Sequence, residues 1–134
     1  MEKFEKEITF LTKVAVAGDD GQGLSWKNEN VTKNATFKEL SQTDKDQHKL
    51  HFKIISLMEM FNVKEGEESG KMNISSDALY DLTVKSINTL LLIDEKFTSQ
   101  DKTEFLSDSA AILRFGLWML SEKLMPFFSN FKVS

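Results

Sequence analysis

The 134-residue chain contains no cysteine. Without thiols it has no disulfide framework, no thiolate zinc site and no cysteine nucleophile, and this composition is typical of intracellular proteins. Long hydrophobic runs are missing too. No stretch approaches the ~20 apolar residues of a membrane span, and the N-terminal MEKFEKEITF alternates charges where a secretory signal needs an apolar run. We therefore expect a cytoplasmic protein that does not associate with membranes.

Clustered positive charge is also scarce. The chain has 17 basic and 21 acidic residues, a net charge of -4 and a single arginine, Arg114. Binding to nucleic acids requires clusters of Lys and Arg that neutralise phosphates, whereas the basic residues here are interspersed with acids. We expect no nucleic-acid partner.

The length and the hydrophobic periodicity together predict the fold class. A chain of this size forms one domain, here residues 1–134, and buries roughly two thirds of the surface that its unfolded form exposes. The pattern alternates at the start and has a helical period afterwards. We predict an α+β fold, a mainly α-helical domain with a short N-terminal β-hairpin, in which residues 1–33 form the hairpin region and residues 43–131 the helical region.

The hairpin prediction rests on alternation followed by a turn. Apolar and β-branched residues occupy every second position over residues 8–16, with Leu11 the exception on the opposite side, and the turn-rich GDDGQG follows at residues 18–23. The return strand, residues 24–32, should be short because KNEN interrupts its apolar residues. An Asn-, Thr- and Lys-rich run then leads into helix.

Apolar residues three and four positions apart predict helices over about residues 43–63, about residues 75–93, and from just after Thr98 to near Met125. The charged, glycine-containing KEGEESGK at residues 64–71 is predicted to be a mobile loop.

Short polar residues mark where these helices start. Thr43 or Ser41 is expected to cap the first helix, and Ser75 or Ser76 the second. Thr98 and Asp101 have the spacing of a capping box, and Ser107 is expected to cap a further turn or a kink. At the other end, Pro126 is predicted to stop the last helix near Met125 because it cannot donate a backbone hydrogen bond.

Two charged features have both a structural and a functional interpretation. Asp44, His48 and His51 share one side of the first helix and are candidate metal ligands, but both histidines are more simply interpreted as solvated helix residues, and a structural zinc site usually takes four protein ligands. We predict no metal and no cofactor. Arg114 is expected to lie over the Trp118 indole or to pair with Asp108 or Asp81.

The stretch LRFGLWMLSEKLMPFF at residues 113–128 carries more apolar residues than one core-facing helix needs. Either the other helices surround it, or one face is covered by another subunit or a client protein. The tail PFFSNF after Met125 favours an interface. The candidate partner-binding residues, with flexible or large apolar side chains, are Phe115, Trp118, Met119, Met125, Phe127, Phe128 and Phe131.

The run SSDALYDLTVKSINTLLLIDEKFTSQDKTEFLSDSAAILRFG, residues 75–116, places two helices around an acidic link and is followed by PFF. With the small acidic cysteine-free chain and its β-like start, this run resembles the tail-assembly chaperones of long-tailed bacteriophages. The resemblance covers about the last half of the chain and carries over no catalytic or binding residue. It implies a protein of the infected host's cytoplasm that escorts the hydrophobic tape-measure protein, associates with itself and is absent from the finished particle.

The sequence therefore predicts a non-enzymatic protein-binding or assembly protein. We expect it to form a homo-oligomer and to bind a protein partner, which is the tape-measure protein if the resemblance holds. Two alternatives stay open. One is a metal-dependent enzyme or sensor that uses Asp44, His48 and His51. The other is a carrier that encloses a lipophilic ligand among Phe115, Trp118 and Phe127.

Overall fold

A computed structural model of the chain describes residues 2–18, 23–60 and 74–130. Its elements are β1 (Lys3–Ala17), β2 (Leu24–Lys38), a 3₁₀ turn (Lys45–Gln47), α1 (His48–Met60), α2 (Ser76–Leu90), β3 (Leu91–Leu92), α3 (Ser99–Leu106), α4 (Ser109–Met119), a π-helical segment (Leu120–Leu124) and α5 (Met125–Asn130). A three-stranded antiparallel sheet thus precedes and joins a set of helices, which confirms the predicted α+β class.

The hairpin is much longer than predicted. β1 and β2 have 15 residues each and pair from Lys3↔Lys38 to Ala17↔Leu24, which corresponds to a ladder about 50 Å long at ~3.3 Å per residue. The prediction that β2 is short and that an irregular run follows residue 32 was wrong. Residues 33–38 are strand because Ala35 and Phe37 turn inward and are fully buried while their neighbours face outward.

The core lies between the inner face of the hairpin base and the helices. Ile8, Phe10, Ala35 and Phe37 supply the buried side of the sheet, as the alternation predicted for β1. A connected group of aromatic rings packs on it: the Phe10 centroid lies 5.7 Å from that of Phe97, and the Phe37 centroid 5.2 Å from that of Phe115. The predicted inner positions of α2 are also buried, at Leu79, Thr83, Ile87 and Leu90.

Helix starts agree with the predicted capping chemistry in two of four cases. The Ser75 hydroxyl accepts from the Ala78 N–H at the start of α2, and Thr98 with Asp101 forms a complete capping box on α3. The first helix differs, because Asp44, not Thr43 or Ser41, caps its 3₁₀ turn by accepting from the Asp46 N–H. The predicted loop KEGEESGK lies outside the described residues.

Asp101 also ties α3 to the sheet. Its Oδ1 lies 2.8 Å from the Lys33 ammonium of β2, and its Oδ2 accepts from the Thr98 N–H. Burial raises the pKa of Asp101, but the hydrogen bonds from Lys33 and Thr98 outweigh burial and hold the pKa below its usual value. The carboxyl is therefore ionised in the neutral range and anchors α3 beneath β2.

The chain continues as helix past Pro126, where the sequence predicted an end. The widened π-helical turn before it changes the hydrogen-bond pattern, so that the Met125 N–H reaches the Leu120 carbonyl. Proline then falls in the first turn of α5, a position that tolerates its missing N–H. Ser107 likewise has another role: it ends α3, and Asp108 caps α4 by accepting from the Ala111 N–H.

The apolar character of residues 113–128 is largely explained by burial within this chain. Phe115 and Met119 face the core, and Gly116 lets α4 approach α2 so closely that a Cβ there would lie 2.1 Å from the Thr83 Oγ1. Leu120 and Leu124 of the π-helical segment are buried too. Leu117 is the exception on α4, with 58% of its surface exposed.

Candidate protein-binding surface

The outer half of the hairpin extends beyond the helices. We call residues 11–17 together with residues 24–30 the hairpin arm. No described side chain of the arm is buried, although the same two strands carry four buried hydrophobic residues at their base. The arm exposes three large apolar side chains, Trp26 at 69%, Leu11 at 42% and Val16 at 39%. Exposed tryptophan is uncommon on a small protein and is a frequent anchor in protein interfaces.

The junction of α3 and α4 covers the outer edge of β1 at the root of the arm. The Leu11 N–H donates to Asp108 Oδ2 at 2.9 Å, and the Thr12 hydroxyl donates to the Glu104 carboxylate. The Arg114 guanidinium donates to the Thr9 carbonyl at 3.3 Å. The first and third contacts satisfy backbone groups of the β1 edge that would otherwise pair with another strand. All three contacts fix the hairpin against the helices.

A cleft of ≈ 880 Å³ separates the arm from this junction. One wall comes from the arm and includes Leu11, Trp26 and the basic Lys13, and the other comes from the helices. The helix wall is polar and partly acidic, formed by Gln100, Thr103, Glu104, Ser107, Asp108, Ser109 and Ala110. The Glu104 and Asp108 carboxylates already accept hydrogen bonds from β1, so they hold the cleft in shape as well as giving it negative charge. The arrangement suits a large apolar side chain flanked by donors or positive charge.

Asp44, His48 and His51 do not form a metal centre, and the described residues contain no group of three His, Asp or Glu side chains placed to hold an ion. Asp44 serves as the cap of the 3₁₀ turn and accepts from the Gln47 amide at 3.2 Å. His48 is exposed, whereas His51 is buried. The interpretation of both histidines as solvated residues was therefore wrong for His51.

His51 belongs to a buried polar and aromatic contact that connects the first helix to the C-terminal one. Its Nε2 lies 3.3 Å from Gln47 Oε1, and its ring centroid lies 4.9 Å from that of Phe127. Burial lowers the pKa of His51, the nearby His48 lowers it further, and Asp44 offsets these effects only in part. The neutral imidazole is thus the form that the fold favours.

Stability should fall as the solution is acidified below neutrality. Because the pKa of His51 is lower in the folded chain than in the unfolded one, the stabilisation is complete above the unfolded pKa of about 6.5 and is lost as pH falls from that value through the lower folded pKa. One proton gives a slope of at most about 1.4 kcal/mol per pH unit. Urea denaturation at several pH values between about 7.5 and 5.5 measures this slope. His51→Gln should flatten it, and equal slopes in the two proteins would contradict the assignment.

The structure divides the predicted partner-binding residues into three groups. Phe115 and Met119 are core residues, 5% and 1% exposed, and are not available on the folded surface. Trp118, Phe127 and Phe128 are half-buried and pack against the core, and Met125 is exposed. Phe131 lies outside the described residues. The rings of Phe115 and Trp118, 5.9 Å apart, pack on each other and on Phe37 and Phe4 respectively, and both residues line a pocket of ≈ 200 Å³. Phe127 packs instead on His51.

Arg114 does not make either of its predicted contacts. The cation over the Trp118 ring is Lys6 of β1, whose Nζ lies 4.6 Å from the ring centroid. Arg114 instead reaches the Thr9 carbonyl, and Asp108 accepts from the Leu11 N–H. The predicted partners all lie in the helical region, whereas the actual contacts are with a strand about a hundred residues earlier.

Sequence reasoning missed Leu11 and Trp26 as site residues. The available signal was Leu11 itself, an apolar residue on the polar side of an alternating strand. Trp26 faces outward on the same side, because its register partner Ala15 is four residues beyond Leu11 on β1. The helix wall of the cleft left no comparable signal, because its residues look like ordinary helix ends in the sequence.

No helix in the described parts of the chain is both long enough and apolar enough to span a bilayer. Comparison with models of protein families, with curated proteins and with solved structures found no match for this chain.

Proposed function

We propose that this chain is a non-enzymatic protein-binding protein that holds a client in the cleft between the hairpin arm and the α3–α4 junction. The observation that carries the proposal is the exposure of Trp26, 69%, on the wall of a ≈ 880 Å³ cleft. Burying a large aromatic side chain against a partner is a main source of affinity in protein interfaces. Leu11 extends the same apolar wall.

The charge of the cleft selects the kind of client. Glu104 and Asp108 lie on the wall opposite Trp26, and the chain as a whole has a net charge of -4. An apolar side chain packs against Trp26, and a lysine or arginine next to it is attracted by these two carboxylates, which outnumber the one positive charge of the lining, Lys13. A basic amphipathic segment, helical or extended, is therefore the preferred client.

We further propose that the client is the tape-measure protein of a long-tailed bacteriophage, which would place the chain's action in the host cytoplasm during tail assembly. Support comes from the resemblance of residues 75–116 to tail-assembly chaperones, and from the exposed Trp26 and Leu11, which an amphipathic client could cover. This identity is more specific than the cleft-binding proposal and depends on it.

Tryptophan fluorescence gives a direct test of the cleft. The chain has two tryptophans, so Trp118→Phe leaves Trp26 as the sole reporter. We expect its emission to shift to the blue when a basic amphipathic peptide taken from a tape-measure protein is added. Trp26→Ala should weaken the binding of that peptide by about tenfold or more, measured by calorimetry, because anchor residues contribute about 2 kcal/mol or more.

Phe52→Ala is the matched control, since Phe52 is an aromatic side chain of similar exposure, 66%, on α1 outside the cleft. It should change the affinity by less than about twofold, as expected for residues outside an interface. Equal affinities of the Trp26→Ala and parent proteins would exclude the cleft as the binding site. Binding of the basic peptide but not of its charge-reversed counterpart would support the role of Glu104 and Asp108.

A further inference from the structure

The second edge of the sheet, on β2, is open along the hairpin arm. β3 pairs with β2 only at Thr36 and Phe37, and apart from the ladder with β1 no hydrogen bond from a described segment reaches the backbone of residues 24–35. This differs from the edge of β1, which the α3–α4 junction covers. An uncovered strand edge of this length is a template for pairing with a further strand.

The contacts of β1 establish which backbone groups of β2 point outward. The Leu11 N–H and the Thr9 carbonyl bond to helices, so both point away from β2. In an antiparallel ladder the residues opposite them, Asn30 and Thr32, then direct their own N–H and C=O away from β1. By the same alternation, the even-numbered residues of β2 from Leu24 to Thr32 present free backbone donors and acceptors on this edge.

We infer that this edge pairs with the same edge of a second copy of the chain, antiparallel and with the two-fold axis at Asn28. In this register Asn28 faces Asn28 of the second copy, Trp26 faces Asn30 and Leu24 faces Thr32. All of these are outward-pointing positions, and together they form about ten backbone hydrogen bonds at two per pair. Pairing ends at Thr32, before Thr36, where β3 occupies the edge.

Charge complementarity selects both the occupant and the register. Lys27 and Glu29 are exposed on one face of the arm, and with the axis at Asn28 each Lys27 faces a Glu29 of the second copy, twice by symmetry. These are the closely spaced, non-hydrogen-bonded positions of the ladder, where opposite charges stabilise pairing. Centring the axis on Lys27 or on Glu29 places like charges face to face, and centring it on Asn30 places Lys27 opposite Lys33.

The exposure of the paired segment favours this arrangement. The segment covers the β2 part of the hairpin arm and extends to Thr32, and none of its described side chains is buried. Pairing uses the backbone groups of the β2 edge, whereas the cleft is lined by side chains, which include those of Trp26 and Asn28 on this strand. The inference therefore goes beyond the proposed function, and the experiments below distinguish dimerisation from client binding.

A charge-swap series tests the pairing. Sedimentation equilibrium of the full chain should show a dimer. Lys27→Glu alone and Glu29→Lys alone each convert two attractive pairs into repulsive ones and should weaken dimerisation by about tenfold or more. The double variant Lys27→Glu with Glu29→Lys restores opposite charges and should restore the dimer. Circular dichroism checks that all variants stay folded, as their exposed positions lead us to expect.

Position 28 gives an independent measure of the axis. The chain lacks cysteine, so Asn28→Cys introduces one thiol that should form a disulfide-linked dimer under mild oxidation, whereas Glu7→Cys, exposed near the hairpin base, should not. A chain that stays monomeric at about 100 µM, or a dimer that neither single charge reversal weakens, would overturn the inference. Charge reversals that weaken peptide binding to a monomer would assign the edge to a partner strand and equally overturn it.

Discussion

Replacing Phe105 by alanine should lower the free energy of unfolding by about 3 to 5 kcal/mol, because the change removes a large side chain and leaves a cavity. Phe105 is fully buried, and its ring centroid lies 6.1 Å from that of Phe10, 6.2 Å from Phe97 and 5.7 Å from Phe115. The Phe105 ring therefore connects three parts of the fold, which are the inner face of the sheet, the turn that precedes α3, and helix α4. Few positions in the described core connect as many separate elements.

Urea denaturation followed by far-ultraviolet circular dichroism measures this change. Domains have a total stability of about 5 to 15 kcal/mol. If the parent protein is near the lower end of this range, the loss leaves a large fraction of the variant unfolded. Phe52→Ala, an equally large truncation at an exposed site, should change the free energy of unfolding by no more than about 0.5 kcal/mol. A loss below 1 kcal/mol at Phe105, roughly the level of a typical substitution, would show that this ring is not central to the core.

The fold class and several helix starts could be predicted because their signals are local. Ser75, and Thr98 with Asp101, act within three residues of their own position, and the side chains that satisfy the first N–H groups of a helix are adjacent to it in the chain. The alternation of β1 could also be predicted, because it shows that Ile8 and Phe10 share one face of the strand whichever elements pack against that face.

The errors occurred where the deciding contact is distant or where two local signals conflict. β2 was predicted to be short because residues 27–30 are polar, but backbone pairing with β1 holds them in strand whatever their hydropathy. Pro126 normally ends a helix, yet the π-helical turn before it lets the chain continue. Arg114 was expected to contact Trp118, Asp108 or Asp81 in the helical region, whereas its actual partner, the Thr9 carbonyl, is 105 residues away on a strand.

The candidate site could not be predicted for the same physical reason. Its cleft brings Leu11 and Trp26 of the hairpin together with Glu104 and Asp108 of the α3–α4 junction. None of these residues belongs to a motif, and the exposure of Trp26 follows from the length of the hairpin relative to the helices. In contrast, the candidate residues of α4 were chosen for their hydrophobicity, which is the property that places Phe115 and Met119 in the core.

The close approach of α4 to α2 leads to the second large effect on stability. Gly116→Ala should lower the free energy of unfolding by about 1 to 3 kcal/mol, although alanine is the better helix former, because its Cβ would lie 2.1 Å from the Thr83 Oγ1 and 3.3 Å from a methyl group of Leu79. The hydroxyl cannot simply turn away without losing its hydrogen bond, 2.6 Å long, to the Leu79 carbonyl. The expected loss thus comes from packing between helices and not from helix propensity.

A double-mutant cycle isolates that contact. Thr83→Ala removes the oxygen that Cβ of residue 116 would meet, so the Gly116→Ala, Thr83→Ala protein should be more stable than the sum of the two single changes predicts, by about 0.5 kcal/mol or more. Thr83→Ser keeps the oxygen and its bond to Leu79, and combined with Gly116→Ala it should give no such recovery. Denaturant titrations of the parent, single and double variants provide all the terms of the cycle. Equal coupling with alanine and with serine would show that α2 and α4 adjust to an added methyl group in a way that does not depend on Thr83 Oγ1.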